Sequence, residues 1–133
     1  VRWYADAFGA RKIYHAEAKG ERPELMFLEF ARGQLIELFS GGKNMLPSPP
    51  DPIGYLHFCL LVDDLEQALE HLAKMNVKPV RKFIGRAQQR IAFINDPDGN
   101  SIEVMQIPPE SPIYRDDMSP LKELRPGAEA GGR

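Results

Sequence analysis

The sequence predicts an α+β domain built from two copies of one module, and three observations lead to this fold class. Apolar residues at helical spacing occur near the start of each half of the chain. Apolar residues with strand spacing follow both predicted helices. Each series closes on the same Gly-x-x-Ile-Glu pattern, which begins at Gly33 and again at Gly99. The 133 residues suit one domain, and the apolar share of 43% suffices for a core.

The first module, residues 1–40, is predicted to hold one helix and three strands. Gly9 is placed to end the helix, since glycine readily takes the left-handed conformation found there. The apolar residues of the helix are Trp3, Tyr4, Ala7 and Phe8. The predicted strands cover residues 11–18, 24–30 and 34–40. A linker, residues 41–54, follows, because three glycines and four prolines leave no room for a helix or strand.

The second module, residues 55–107, begins with an extra strand over 55–62. A helix over 65–75 is capped by Asp63 or Asp64, and Asn76 can end it. Its predicted buried stripe consists of Leu65, Leu69, Leu72 and Met75. A strand over 77–84 follows, and then a hairpin of strands 88–95 and 100–107 around an Asp-Pro-Asp-Gly turn. These modules and their linker make up a single domain over residues 1–107.

Residues 108–133 form the predicted C-terminal arm, which is rich in proline and charge and later in glycine and alanine. Such a composition buries little apolar surface. We expect a surface arm with at most one helical turn near Leu121, ending in disorder.

An internal repeat supports the two-module interpretation. When the chain is displaced by 66 residues, the first 40 positions align with the second module without a gap, and six of them match. The matching pairs are Ala7/Ala73, Lys12/Lys78, Phe27/Phe93, Gly33/Gly99, Ile36/Ile102 and Glu37/Glu103. The first module lacks a counterpart of the strand that holds His57. We therefore expect a strand ahead of Val1, with a histidine about ten residues upstream.

Composition excludes several function classes. The net charge of −2 gives no reason to expect nucleic acid or an anionic membrane as a partner. No apolar run approaches the length of a membrane span, and no signal peptide is visible. Cys59 is the only cysteine, which excludes an internal disulfide and fits a reducing cytoplasm. Its apolar neighbours favour a packed thiol.

Glu37, His57 and Glu103 are the candidate metal ligands. Each glutamate lies between apolar residues of a predicted strand, where burying an unpaired carboxylate is costly. Their equivalence in the repeat indicates a shared partner, and a divalent cation would serve. Imidazole and carboxylate donors suit zinc, nickel, cobalt, iron or manganese. The alternative is that each glutamate lies on the exposed face of its strand.

The remaining polar residues fit simpler interpretations. We expect His15 to be solvated or packed near a strand end, and His71 to lie on the surface of the second helix. Arg86 is a weak candidate for substrate binding, in a segment whose charges are otherwise expected to be solvated; its neighbouring cations are Arg81, Lys82 and Arg90. No nucleophile triad, phosphate loop or paired cysteine motif is present.

The string from Phe93 to Glu103, with His57 and the run Val62-Asp63-Asp64-Leu65 ahead of it, resembles the second half of vicinal oxygen chelate proteins. This superfamily includes glyoxalase I, bleomycin-resistance proteins and extradiol dioxygenases. Residues 1–40 resemble its first half. The resemblance implies two βαβββ modules whose sheets curl around one metal ion, and usually a homodimer.

The pattern of ligands is most similar to that of glyoxalase I. Glu37, His57 and Glu103 match its second, third and fourth metal ligands, and the missing first ligand is expected upstream of Val1. Dioxygenase-like members use three ligands and do not need Glu37, whereas bleomycin-binding members lack the ligands. An asparagine that helps bacterial glyoxalase I to hold glutathione is absent from the run Leu38–Gly42, which puts a glutathione adduct in doubt.

The resemblance thus implies a metal-dependent lyase or isomerase of the glyoxalase I type. Its substrate would be a small α-hydroxycarbonyl or thiohemiacetal, converted by proton transfer through an enediolate. Glu103 is the candidate base, and Glu37 could serve the opposite face. The alternatives are a ring-cleaving dioxygenase and a non-catalytic protein that binds a small molecule, such as an antibiotic, in the same cleft.

Overall fold

The computed structural model describes residues 1–43, 54 and 56–117. The chain divides into two compact units, Val1–Pro52 and Ile53–Arg133. Each unit combines one helix with an antiparallel or mixed sheet, so the α+β prediction is confirmed. No helix in these described ranges is long and apolar enough to cross a membrane.

The first unit consists of helix α1 and a three-stranded antiparallel sheet. Its elements are α1 Arg2–Phe8, β1 Arg11–Ala16, β2 Leu25–Ala31 and β3 Gln34–Phe39, in the sheet order β1-β2-β3. Gly9 ends α1 with φ 66°, the left-handed conformation that the sequence predicts. Tyr4 and Phe8 of α1 pack edge-to-face on Phe30 of β2, which places the helix on one face of the sheet.

The second unit has an additional strand before its helix. Its elements are β4 Phe58–Leu61, α2 Leu65–Ala73, β5 Arg81–Ile84, β6 Arg90–Asn95 and β7 Ser101–Gln106. The sheet order is β4-β7-β6-β5, with β4 parallel to β7 and the other pairs antiparallel. Ile94, Ile102 and Val104 are fully buried on the face covered by α2.

Helix α2 begins where its cap predicts. The side chain of Asp64, one of the two predicted caps, accepts a hydrogen bond from the Gln67 amide at 3.1 Å. The buried stripe differs from the prediction, because Ala68 is buried with Leu65 and Leu72. Leu69 and Met75 are only half-buried. Asn76 has φ 60°, as predicted for the residue that ends the helical segment.

Most predicted strands are shorter in the structure by one or two residues, and two of them are shorter by four. The strand predicted over 77–84 covers only Arg81–Ile84, because the Val77 amide bonds back to Leu72 of the helix and Pro79 has no amide to donate. The strand predicted over 55–62 covers Phe58–Leu61. His57 therefore lies just before β4 rather than within it.

The hairpin of β6 and β7 turns on Asp96, as predicted. The Asp96 carboxylate accepts hydrogen bonds from the amides of Asp98 and Asn100, at 3.0 and 2.7 Å. Gly99 has φ 87°, which glycine adopts without strain. These contacts fix the register of β7 and hence the position of Glu103.

The strand registers support the internal repeat. Phe27 lies opposite Glu37 in the β2–β3 ladder, and Phe93 lies opposite Glu103 in the β6–β7 ladder. The displacement of 66 residues found in the sequence relates Phe27 to Phe93 and Glu37 to Glu103. Directly opposite residues share a sheet face, so each glutamate shares its face with a phenylalanine.

The start of the predicted C-terminal arm contacts the second unit. Ser111 is buried, and its hydroxyl donates a hydrogen bond to the carbonyl of Ala87 in the β5–β6 turn. Residues 112–117 are exposed, as the prediction of a surface arm requires. The helical turn predicted near Leu121 lies outside the described residues.

The ion pair between Glu29 and Arg11 should make stability depend on pH. A hydrogen bond from the Gly33 amide, at 3.0 Å, and the Arg11 guanidinium hold the pKa of Glu29 below its usual value of 4.5. A lowered pKa in the folded state stabilises the fold above the unfolded pKa, and this contribution disappears as the pH falls through the folded pKa. We expect Glu29→Gln to lower the free energy of unfolding at pH 7 and to cost less as the pH falls below 4.5.

Urea unfolding of wild type and Glu29→Gln at pH 7 and about pH 3 measures this difference. Arg11→Met is the companion variant, because it removes the cation and leaves the Gly33 hydrogen bond. An equal loss of stability at both pH values would show that the carboxylate charge does not matter.

Candidate metal site

Glu37 and Glu103 occupy equivalent places in their own units. Glu37 lies opposite Phe27 in its sheet, and Glu103 lies opposite Phe93. Along their strands, Phe27 and Phe93 alternate with the buried residues that face the helices. Both glutamates therefore lie on the sheet face opposite the helix of their unit. Their burial differs, because Glu37 is exposed and only 13% of the Glu103 side chain is exposed.

His57 and Glu103 form the closest pair of candidate ligands. The parallel ladder aligns β4 with β7, so the residue just before β4 comes alongside Glu103. The His57 Nε2 and Glu103 Oε2 atoms are 2.9 Å apart in a partly buried contact. A carboxylate only accepts hydrogen bonds, so this contact is a hydrogen bond in the tautomer that has its proton on Nε2.

The two side chains of this hydrogen-bonded pair are also potential metal ligands, because a histidine nitrogen and a carboxylate oxygen both bind divalent cations. An imidazole nitrogen and a carboxylate oxygen suit the first-row divalent metals predicted from the sequence.

The pair supplies two ligands, whereas the prediction names three. In residues 1–43, 54 and 56–117, no group of three or more histidine, cysteine, aspartate or glutamate side chains is placed to hold a metal. Glu37 belongs to the first unit, and His57 and Glu103 belong to the second. The set of three therefore stays a prediction, as does the expected ligand ahead of Val1.

Three residues beside this pair were missed by sequence reasoning. Phe93 packs edge-to-face on His57, with ring centroids 4.9 Å apart. The Arg81 guanidinium lies 4.1 Å from the Phe93 ring centroid and 5.4 Å from that of Phe83. The alternation of Arg81 and Phe83 along β5 was the available signal, since residues two apart share a face.

Cys59 lies opposite Glu103 in the β4–β7 ladder and so shares its face. Burial and the Glu103 charge raise the pKa of Cys59 to about 12, although part of the residue reaches the surface. The thiol is thus protonated at neutral pH and is not in its reactive form. The expectation of a packed thiol is wrong, because Cys59 is exposed on the edge strand β4.

The other candidate residues have surroundings of a different kind. His15 pairs with Glu24, Nε2 to Oε1 at 2.7 Å, on an exposed part of the first unit. His71 is half-buried in the last turn of α2. Arg86, the weak candidate for substrate binding, is exposed in the turn after β5.

Comparison with known proteins then decides the family. A sequence model of the glyoxalase/bleomycin resistance protein/dioxygenase superfamily matches residues 1–104. The chain belongs to this superfamily. The resemblance drawn from the sequence motifs is confirmed, and the second unit shows the βαβββ order of a superfamily module.

Curated members of the superfamily match parts of the chain. It is 38% identical over 74 residues to the uncharacterized protein YaeR of Escherichia coli K12, which covers 54% of this chain and 57% of YaeR. It is 41% identical over 56 residues to a lactoylglutathione lyase of Pseudomonas aeruginosa, covering 42% of this chain and 31% of that enzyme. The chain therefore spans less than two thirds of the length of these relatives.

A solved structure supports the superfamily fold. The glyoxalase family protein from Enterococcus faecalis has a TM-score of 0.68 and 20% sequence identity to this chain. The alignment covers 77% of this chain and 82% of that protein. The predicted glyoxalase-like fold is thus confirmed.

Proposed function

We propose that the protein is a metal-dependent lyase or isomerase of the glyoxalase I type. The observation that carries the proposal is the contact of 2.9 Å between His57 Nε2 and Glu103 Oε2 on the sheet face opposite α2. The similarity to lactoylglutathione lyase adds support, although it covers less than half of the chain. The substrate class is a small α-hydroxycarbonyl or thiohemiacetal.

His57 and Glu103 would hold the metal ion, with Glu37 as a further ligand. A divalent cation supplies Lewis acidity, which lowers the pKa of a C–H bond next to a carbonyl group. The donor chemistry fits zinc, nickel, cobalt, iron or manganese equally. A homodimer fits the proposal, because Glu37 could then reach the site of its own chain or that of its partner.

Glu103 is the proposed base. Its carboxylate takes a proton from one carbon of the substrate and returns it to the adjacent carbon, so it ends the cycle unchanged. The partly buried position suits this role, because limited solvent access protects a carbanion-like species from stray protons. Glu37 could serve the opposite face of the substrate. His57 stays a ligand and transfers no proton.

Three assays on the purified protein test the proposal. The first follows methylglyoxal with several thiols, the second follows oxygen uptake with a panel of catechols, and the third measures ligand binding with and without chelator. We expect isomerisation of a thiol adduct, sensitive to chelator, with weak or no turnover of the glutathione adduct. Oxygen consumption with a catechol would instead indicate a dioxygenase. Binding that survives chelation, without turnover, would indicate a sequestering protein.

A further inference from the structure

The orientation of His57 depends on few contacts. Its backbone lies just before β4, outside the hydrogen-bonded ladder. Nδ1 makes no hydrogen bond to another residue of the described chain, whereas metal-binding histidines usually donate this second N–H to an oxygen atom. The rotation of an imidazole about its last side-chain torsion is soft. The contact with Glu103 is the one side-chain hydrogen bond of the ring within the described residues, so packing must supply any further restraint on the ring plane.

Phe93 is placed to supply that restraint. Its ring meets the His57 ring at 84°, with centroids 4.9 Å apart, which is the favourable edge-to-face arrangement. Phe93 is 6% exposed and lies in β6, between β5 and β7. A side chain in the middle of a four-stranded sheet moves little, so it offers a rigid surface to its neighbour.

Arg81 holds the ring of Phe93 in turn. Arg81 is the register partner of Phe93 in the β5–β6 ladder, and its guanidinium lies 4.1 Å from the ring centroid. Phe83 is nearly parallel to Phe93, at 11°, with centroids 6.3 Å apart. Within the described residues Arg81 forms no ion pair. Its contacts with the rings of Phe83 and Phe93 therefore hold the guanidinium in position.

We propose that Phe93, held by Arg81, is a positioning residue that fixes the His57 ring so that Nε2 faces Glu103. The inference rests on the proposed function, because it takes His57 to be a metal ligand. Phe93 replaces the hydrogen bond that usually orients such an imidazole. Without the ring edge, His57 rotates and Nε2 meets Glu103 for only part of the time.

The test compares Phe93→Leu with Phe93→Tyr in the full chain. Leucine keeps apolar bulk and removes the ring, while tyrosine restores it. Phe30→Leu is the matched control, because Phe30 is as buried as Phe93, at 7% exposed, but packs on Tyr4 and Phe8 in the first unit. The first readout is the ¹⁵N NMR signal of His57 in metal-free protein, which reports its tautomer and the exchange of the Nε2 proton. The second is zinc affinity, measured by competition with a chromophoric chelator.

We expect Phe93→Leu to speed exchange of the Nε2 proton and to weaken zinc binding by about 10-fold, the lower end of the usual effect of losing an orienting contact. Phe93→Tyr and Phe30→Leu should stay within about twofold of wild type. A purely structural role would lower the melting temperature of Phe93→Leu and leave the folded protein with wild-type exchange and affinity. That outcome would overturn the proposal.

Arg81→Met gives a second test that does not depend on a core substitution, since Arg81 is exposed. Removing the cation should weaken zinc binding by roughly two- to fivefold, the usual worth of an exposed cation–π contact. If wild-type protein binds none of zinc, nickel, cobalt, iron and manganese, the proposed function fails, and the NMR readout still decides the role of Phe93. Unchanged exchange in both Phe93→Leu and Arg81→Met would refute the positioning role by itself.

Discussion

Glu103→Gln is expected to lower kcat by about 10²–10⁴-fold, the usual contribution of a general base. Glutamine has the same shape and still offers an oxygen to His57 Nε2, so the fold should survive. The loss arises because a neutral amide does not accept a proton from carbon. The measurement is steady-state turnover of the thiol adduct that wild type converts, with metal content determined on the same samples. Any loss of bound metal would lower turnover further.

Glu24→Gln is the matched control for this variant. Glu24 also contacts a histidine, His15, at 2.7 Å, but it lies in the first unit on an exposed surface. Removing its charge should leave kcat within about twofold of wild type. Wild-type turnover in Glu103→Gln with full metal occupancy would show that another group removes the proton. In that case Glu37 becomes the first residue to replace.

The sequence predicted the modules well because duplication constrains them twice. A glycine, an isoleucine and a glutamate recur at one displacement, and the structure places Phe27 opposite Glu37 as it places Phe93 opposite Glu103. Local signals were also sufficient for the ends of the helices. Asp64 and Asn76 act through contacts within a few residues, which a single sequence displays directly.

Contacts across strands were harder to predict. Arg81 meets Phe93 because the ladder begins at Arg81, and this register depends on Pro79 and on the bond from Val77 back to the helix. A shift of one residue would have turned Arg81 to the other face of the sheet. Sequence spacing alone did not settle that register, so the basic residues of β5 were expected to be solvated.

The environment of His57 shows the same limit. An apolar run beginning at Tyr55 predicted a strand that includes the histidine, whereas the ladder begins at Phe58. The sequence singled out both His57 and Glu103 as candidate ligands, because both match metal ligands of the superfamily that the motifs resemble. It gave no sign that a phenylalanine ring, rather than a hydrogen bond, packs against the imidazole.

Replacing His57 by glutamine should abolish the metal site. Losing only an orienting contact usually weakens metal binding by 10–100-fold, so losing a ligand should exceed roughly 100-fold. Turnover should fall with it, and chelator treatment of wild type should reproduce that loss, because both changes remove the Lewis acid. Calorimetric titration with zinc and with nickel measures the affinity. His15→Gln is the control, since His15 makes a similar contact with a glutamate within the first unit and should keep wild-type affinity. Retention of one tightly bound metal per chain in His57→Gln would contradict the assignment, and so would turnover that survives complete removal of metal from wild type.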